Sequence, residues 1–485
     1  MRMGSPAVVL VAALGIAGTA HAVDRRLRAE RITSDNAREL RIGGPDAIGG
    51  VDDWYLANDI VEVIVDAPSR RHAKLNHGGT IVDVGLRDRR GEDQFARLVP
   101  MLNMSQRLVV GYDAIRAEVD EEAGVARLVV TSSRVSSLPR GEGLTRLLDL
   151  FVPEPEALRD VRVETEYAVH AGEPFVRIRT TLSNDGDEVA PIFAYGDLWM
   201  RGGRSGRSFV GNTLSPERSR GFHHLSFSRT NLLRSTDAMA AFTHVVVPGL
   251  AGHVPITYAL FSPERAARRL PFFGVTGEHV SFAVSFVGDP PWEGFGLLRF
   301  LRAMGGGMEP GASWVIDRRL LVTGGADVAS ATDVIFPLLG FAREESGIEG
   351  RIEPPGRRVS IQVDGAAGEP VTQVVARSDG VDVGSFRATL PPGDYRLALR
   401  TPHAPTRHVE VTVFGERRTV VPPEAFAAPG TLDFPRPFAD GGPGRVIVRG
   451  RDGTPDPVFG PELLDFRIDG EPGPSATETD SVYFV

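Results

Sequence analysis

One segment constrains the fold more than any other: Leu390-Pro391-Pro392-Gly393-Asp394-Tyr395-Arg396-Leu397-Ala398-Leu399. Two prolines fix φ near the polyproline value, and Gly393 can adopt the backbone angles of a tight turn. Tyr395, Leu397 and Leu399 then alternate with Arg396, Ala398 and Arg400, the period of a strand with one buried face. Such a turn feeding such a strand predicts a small β-sandwich near the C-terminus.

The same period recurs upstream. Val61, Val63 and Val65 alternate around Glu62 and Ile64, and Val161, Val163, Thr165, Tyr167 and Val169 alternate with Arg162, Glu164 and Glu166. Gly172-Glu173-Pro174 turns the chain into Val176, Ile178, Thr180 and Leu182, and Asn184-Asp185-Gly186 turns it again, which predicts a hairpin. Phe282, Val284 and Phe286 repeat the pattern. A sheet with one apolar face must pack on a second layer, and helical periodicity is scarce. The best helix is a short one from Asp327 to Ile335, with Asp327 as cap and Pro337 as stop. The expected fold class is therefore all-β. A large antiparallel sandwich, supersandwich-like, spans 24–340, and an immunoglobulin- or transthyretin-like β-sandwich spans 347–415. A Pro/Gly-rich linker with an incomplete β unit fills 423–485, where Arg445-Val446-Ile447-Val448-Arg449 and Ser481-Val482-Tyr483-Phe484-Val485 read as strands.

The first 22 residues form an export signal. Arg2 supplies the basic start, Ala7 to Ala17 an apolar run, and Ala20-His21-Ala22 a small-x-small cleavage site. A secreted or periplasmic protein is expected, with no membrane association after cleavage. The chain has no cysteine, which excludes disulfides, thiolate metal sites and cysteine nucleophiles. Lys74 is the single lysine; it lies between Ala73 and Leu75, so a Gly-Lys-Ser/Thr phosphate loop is excluded. The other basic residues are arginines scattered among acids at a net charge of −9, which argues against a nucleic-acid partner.

Several stretches resemble a known family. Glu369-Pro370-Val371 together with Leu390–Tyr395 resembles a carboxypeptidase regulatory-like (transthyretin-type) domain. Trp54-Tyr55-Leu56-Ala57-Asn58, Asp327-Val328-Ala329-Ser330-Ala331-Thr332-Asp333 and Arg449-Gly450-Arg451-Asp452-Gly453-Thr454-Pro455-Asp456-Pro457 are similar to the N-terminal accessory region of secreted CehA/McbA-type metallohydrolases. That resemblance implies a metal-binding PHP-type domain downstream or on another chain. The family's His-x-His pair is absent, so none of its metal ligands is carried onto this sequence, and neither a metal nor another cofactor is expected.

Asp197, Trp199 and Arg201 precede a long polar segment, Gly202 to Ser228, that contains His223 and His224 and reads as a loop. An aromatic ring with arginine forks suits a carbohydrate or an anion. Adjacent histidines on a strand point to opposite faces and would not share one metal. His77, in Asn76-His77-Gly78-Gly79, could act as acid or base on a sugar, with a wet glycine turn as the simpler account. His408-x-Glu410 has metal-pair spacing, but Val409, Val411 and Val413 claim the core side, which leaves His408 and Glu410 facing water. No Gly-x-Ser-x-Gly elbow and no His-Glu-x-x-His helix occurs. The expectation is an exported non-catalytic module of a metallohydrolase-type system, binding a carbohydrate or protein ligand. The alternative is a carbohydrate-active enzyme of the mutarotase/lyase supersandwich type.

Overall fold

The computed structural model describes residues 27–70, 78–103, 105, 108–132, 134–137, 155–201, 207–212, 221–224, 242–245, 256–261, 272–276, 280–286, 306–325, 327–355, 359–366, 368, 370–377, 382–401, 406–426, 445–448 and 481–484. The expected export signal at 1–22, Lys74 and His77 lie outside these residues.

Nineteen described strands build the large unit. They are β1 (Arg28–Arg31), β2 (Trp54–Ala57), β3 (Val61–Val65), β4 (Ile81–Leu86), β5 (Phe95–Leu102), β6 (Leu108–Gly111), β7 (Ala114–Asp120), β8 (Val125–Ser132), β9 (Arg134–Ser137) and β10 (Val161–His170). After these come β11 (Phe175–Asn184), β12 (Ala194–Arg201), β13 (Arg207–Asn212), β14 (Gly221–His224), β15 (Phe242–Val245), β16 (Thr257–Phe261), β17 (Phe272–Thr276), β18 (Val280–Phe286) and β19 (Ser313–Thr323). One sheet runs β1-β2-β3-β4-β5-β12-β18-β17, with β6 on β5 and β9 on β6. The other runs β14-β13-β15-β16-β19-β11-β10-β8-β7. Their facing surfaces share one core that includes Leu56, Val63, Phe95, Leu128, Val163, Ile178, Trp199 and Leu320. The all-β sandwich expected from the alternation is what the chain forms.

Four local expectations change. First, β3 is buried on both faces, Glu62 included, because a segment carrying helix α1 (Ala37–Leu40) packs Ile32, Leu40 and Ile42 over Tyr55, Ile64 and Val82 on the outer side of the sheet. Alternation in a strand cannot reveal that its polar-looking face has a cover of its own. Second, β10 and β11 pair in full register from Val161↔Asn184 to Ala168↔Arg177, as the first turn predicted. The second turn does not return the chain to this sheet; it hands it to β12 in the facing one. Third, the polar segment 202–228 is not simply a loop, since it contains β13 and β14, paired Val210↔His223 and Phe209↔His224. Fourth, the helix, α2 (Ala329–Leu338), runs through Pro337 instead of stopping before it.

The second unit contains β20 (Gly347–Glu353), β21 (Ser360–Gly365), β22 (Pro370–Val375), β23 (Ser385–Thr389), β24 (Gly393–Arg400), β25 (Arg407–Val413), β26 (Arg418–Val420) and β27 (Glu424–Ala425). One sheet is β22-β21-β24-β25; the other is β23-β20-β26, with β27 also on β20. The five strands expected from periodicity are present. Strands β20, β26 and β27 were not foreseen, and β20 pairs in parallel with both of the others. β28 (Arg445–Val448) and β29 (Ser481–Phe484), both expected, pair with each other in antiparallel fashion.

The two sandwiches meet through α2. Val328, Ala329, Ile335 and Phe336 share a single buried cluster with Phe175, Phe261 and Leu321 from the outer face of the nine-stranded sheet and with Val371, Ala388 and Leu390 from the second unit. Polar groups lock this joint. The N-cap of the helix is Val328 and not Asp327 as expected; from one residue earlier, Asp327 Oδ1 accepts the Ser330 N–H at 2.9 Å and Oδ2 accepts the Val375 N–H at 2.9 Å. Gln373 Oε1 accepts the Val328 N–H at 3.2 Å, and the Thr332 and Thr372 hydroxyls lie 2.8 Å apart.

Candidate functional site

Strand β12 points Tyr195, Asp197 and Trp199 to one face, as a period of two requires. That face is the interior of the sandwich: Asp197 is 2% exposed and Trp199 1%. Across the gap, β19 contributes Arg318, also 2% exposed. Arg318 Nε lies 2.7 Å from Asp197 Oδ2 in an ion pair, and a terminal nitrogen donates a hydrogen bond to Oδ1 at 3.0 Å. Arg318 also donates to Thr180 Oγ1 at 3.0 Å and to the Tyr195 hydroxyl at 3.1 Å, with its guanidinium 5.0 Å from the Tyr195 ring centre.

The network continues sideways. The Tyr195 and Thr180 hydroxyls are 3.2 Å apart, Thr180 and Thr165 2.9 Å, and Thr165 and Tyr112 2.6 Å. Tyr167 donates to the Gly79 carbonyl at 3.0 Å. Gly79 sits at φ 79°, and a Cβ there would fall 2.7 Å from the Tyr112 ring, so the turn after His77 needs its glycine. Burial works against the Arg318 charge, and Asp197 with Tyr195 and Tyr167 outweighs it, so the arginine pKa lies above its usual value. Burial raises the Asp197 carboxyl, and Arg318 pulls it back down. Burial is the larger effect on Asp197, which stays above its usual value, and the contact with Arg318 ties one sheet to the other.

Trp199 packs against Phe95 and Tyr258, with ring centres 5.6 and 6.4 Å away. Tyr258 in turn donates to the Val84 carbonyl at 3.0 Å. Asp197 and Trp199, weighed from the sequence as ligand-binding residues, thus lie on one face of β12 in the inter-sheet core. Arg201 ends β12 beyond a register shift at Met200/Arg201, and His223 and His224 occupy β14; the side chains of these three, and all of His77, lie outside the described residues. On β25, His408 and Glu410 are exposed, as the valine pattern required.

Sequence reasoning missed a second set of buried charges. Arg97 donates to Asp66 Oδ2 at 2.7 Å and to Thr80 Oγ1 at 3.0 Å. Glu62 accepts the Tyr55 hydroxyl at 2.8 Å and faces Arg90 at 3.3 Å. Asp83 accepts the Ile48 and Gly49 N–H groups at 2.8 and 2.9 Å, and burial pushes its carboxyl up to about 6. Their only sequence signal was an acid inside a valine-rich strand, which ordinarily marks the wet face. Among the described residues no three His, Asp or Glu side chains are placed to hold a metal ion. The described surface does contain an open groove of about 1040 Å³ between the end of α2 and the second unit, lined by Pro337, Phe341, Pro392 and Phe414 with Arg343 and Arg417.

No family model matches the chain, and no curated protein matches it. Among solved structures it is similar to a TPR-domain containing protein from Parabacteroides distasonis, at 8% identity and a TM-score of 0.30, over 62% of this chain and 53% of that one. The chain thus spans about half the length of that protein. It is also similar to a galactose mutarotase related enzyme from Lactobacillus acidophilus, at 8% identity and a TM-score of 0.28, over 56% of this chain and 98% of that one. An alpha-mannosidase from Enterococcus faecalis gives 9% identity and a TM-score of 0.34, over 60% of this chain and 35% of that one. None of these likenesses bears on what the chain does. Its own sheets define an all-β sandwich protein.

Proposed function

We propose that the chain is an exported, non-catalytic module that holds a partner or ligand in place for a metallohydrolase-type system. One observation supports this best: α2 fuses two sandwiches through a continuous buried cluster, reinforced by hydrogen bonds from Asp327, Gln373 and Thr332. A joint built this way transmits position between surfaces on the two units. The use of Asp197 and Trp199 as inter-sheet ties fits the same role, because groups already committed to each other are poor acids, bases or sugar platforms.

Turnover assays on the purified chain test this reading. Aldose mutarotation followed by polarimetry, and phosphodiester hydrolysis in the presence of added manganese or zinc, should stay at the buffer rate. Turnover lost in His77→Ala or Asp197→Asn, with the fold intact, would overturn the proposal in favour of the enzyme reading.

A further inference from the structure

The outer face of the nine-stranded sheet carries two neighbouring cross-strand rows with different logic. In one, Glu166, Arg179 and Asp317 face each other across β10, β11 and β19, so charge alternates acid, base, acid. In the next, register places Arg127 on β8, Ala168 on β10, Arg177 on β11 and Arg319 on β19 in one line. Glu118 on β7 stands opposite Arg127 and closes the row at that end; between it and β19 the row contains three arginines and no acid. Arg177 and Arg319 are directly opposite, an arrangement that destabilises a sheet when nothing intervenes.

The existing counter-charges cover the row only in part. Glu173 reaches in from the β10–β11 turn and grips Arg177 with both oxygens. Asp317 lies 3.4 Å from Arg319 but is also held 3.5 Å from Arg179. Arg127 has a loose pair to Glu118 at 3.9 Å, and its Nε is buried without a hydrogen-bond partner. His170, half-buried at the end of β10, borders the row, and its pKa is lowered by burial and then by Arg177. Three strand spacings make the row roughly 14 Å long, the span of several residues of extended chain rather than of one small anion.

We propose that the Arg127–Arg177–Arg319 row is a docking site for an acidic segment of a partner protein, whose carboxylates seat on the guanidiniums as Glu173 does on Arg177. This deepens the scaffolding reading above and rests on it. Side-chain carboxylates of protein length are the ligands this row already takes, which favours a polypeptide over a polysaccharide. Arg319, stacked 5.5 Å over the Phe175 ring at the edge of the buried joint, would place that segment beside the second sandwich.

Binding of fluorescent poly-L-glutamate to the full chain tests the site, with polygalacturonate and polyphosphate as competing probes. Poly-L-glutamate should bind and weaken as sodium chloride is raised. The triple variant R127Q/R177Q/R319Q should lose roughly tenfold or more in affinity. Arg162→Gln, on the same face outside the row, should not change it. Because Arg319 also packs on Phe175, the double variant R127Q/R177Q, checked for an unchanged melting temperature, must show the loss as well. No binding, equal binding by the variants, or tighter binding of polygalacturonate or polyphosphate would overturn the proposal. Such a failure without turnover leaves the non-catalytic reading standing, whereas chain cleavage of any probe would remove that reading itself.

Discussion

Arg318 and Asp197 meet across the sandwich, one from each sheet, with both carboxylate oxygens engaged and both side chains sealed from solvent. Removing one partner strands a buried charge, which typically costs 3–5 kcal/mol, roughly. Asp197→Ala should therefore lower the urea midpoint far more than an average core substitution. Asp197→Ala combined with Arg318→Met should recover much of the loss, because no unpaired charge remains. A double-mutant cycle by urea denaturation gives the coupling; two independent losses that simply add would contradict the tie.

Tyr395 closes a tyrosine corner. Its hydroxyl donates to the Pro391 carbonyl at 2.8 Å from a buried ring, locking the Pro391-Pro392-Gly393 turn onto the strand it feeds. Tyr395→Phe leaves that buried carbonyl without this donor and should cost about 1–3 kcal/mol by chemical denaturation. A neutral result would mean that the turn is held by its prolines alone.

The segment around Tyr395 shows why the second sandwich was legible. β24 and β25 each keep exposed positions among buried ones, so alternation survives there, and His408 and Glu410 point outward as the valines demanded, whereas β21 and β22 are buried on both faces. Legibility fails where a face that ought to be wet has a cover. Glu62 and Asp83 look like solvent-side residues of β3 and β4, yet the segment bearing Ile32, Leu40 and Ile42 closes over that side and turns them into buried acceptors. Arg318 hid for a related reason. Its strand alternates Leu320, Arg318, Ile316 inward, and an arginine in an inward position makes sense only once Asp197 is seen opposite. Asp197 and Trp199 drew notice only because they precede the polar segment with His223 and His224, and nothing in that segment shows that β12 turns both side chains into the core. The short parallel strands β26 and β27 carry no period long enough to read.

Stability should depend on pH in a direction set by buried acids. Burial raises Asp327, at the joint, from 3.8 to about 6, and Asp83 likewise to about 6. Glu62, Asp93 and Asp333 shift the same way, with burial the largest cause in each. A carboxyl whose folded pKa exceeds its unfolded one contributes most below the unfolded value, and that contribution is lost as pH rises through the folded value. For Asp327 and Asp83 the loss falls between about pH 4 and pH 7, and a shift of this size corresponds to roughly 3 kcal/mol each. His170, lowered by burial and Arg177, works the other way below its ordinary range. The carboxyls outnumber it, so the urea midpoint should be higher at pH 5 than at pH 7.5. Asp83→Asn should flatten that slope; a midpoint that climbs steadily to pH 7.5 would contradict the assignment.

Trp199 offers a direct optical test of the closed core. Its ring lies 5.6 Å from Phe95 and 6.4 Å, edge-on, from Tyr258, inside the cluster that joins the two sheets. Trp199→Leu removes ring contacts on both sides and leaves a cavity between β5, β12 and β16. Truncations of a buried aromatic to alanine cost about 3–5 kcal/mol, and the larger leucine should recover part of that. The loss should appear as a lower urea midpoint with a folded baseline that keeps its strand signature in circular dichroism. In the unaltered chain, acrylamide should barely quench the Trp199 emission, which is isolated by replacing Trp54, Trp292 and Trp314 with phenylalanine. Emission quenched as readily as free tryptophan would place the ring at an open surface, and the sugar-stacking role weighed for it from the sequence would return.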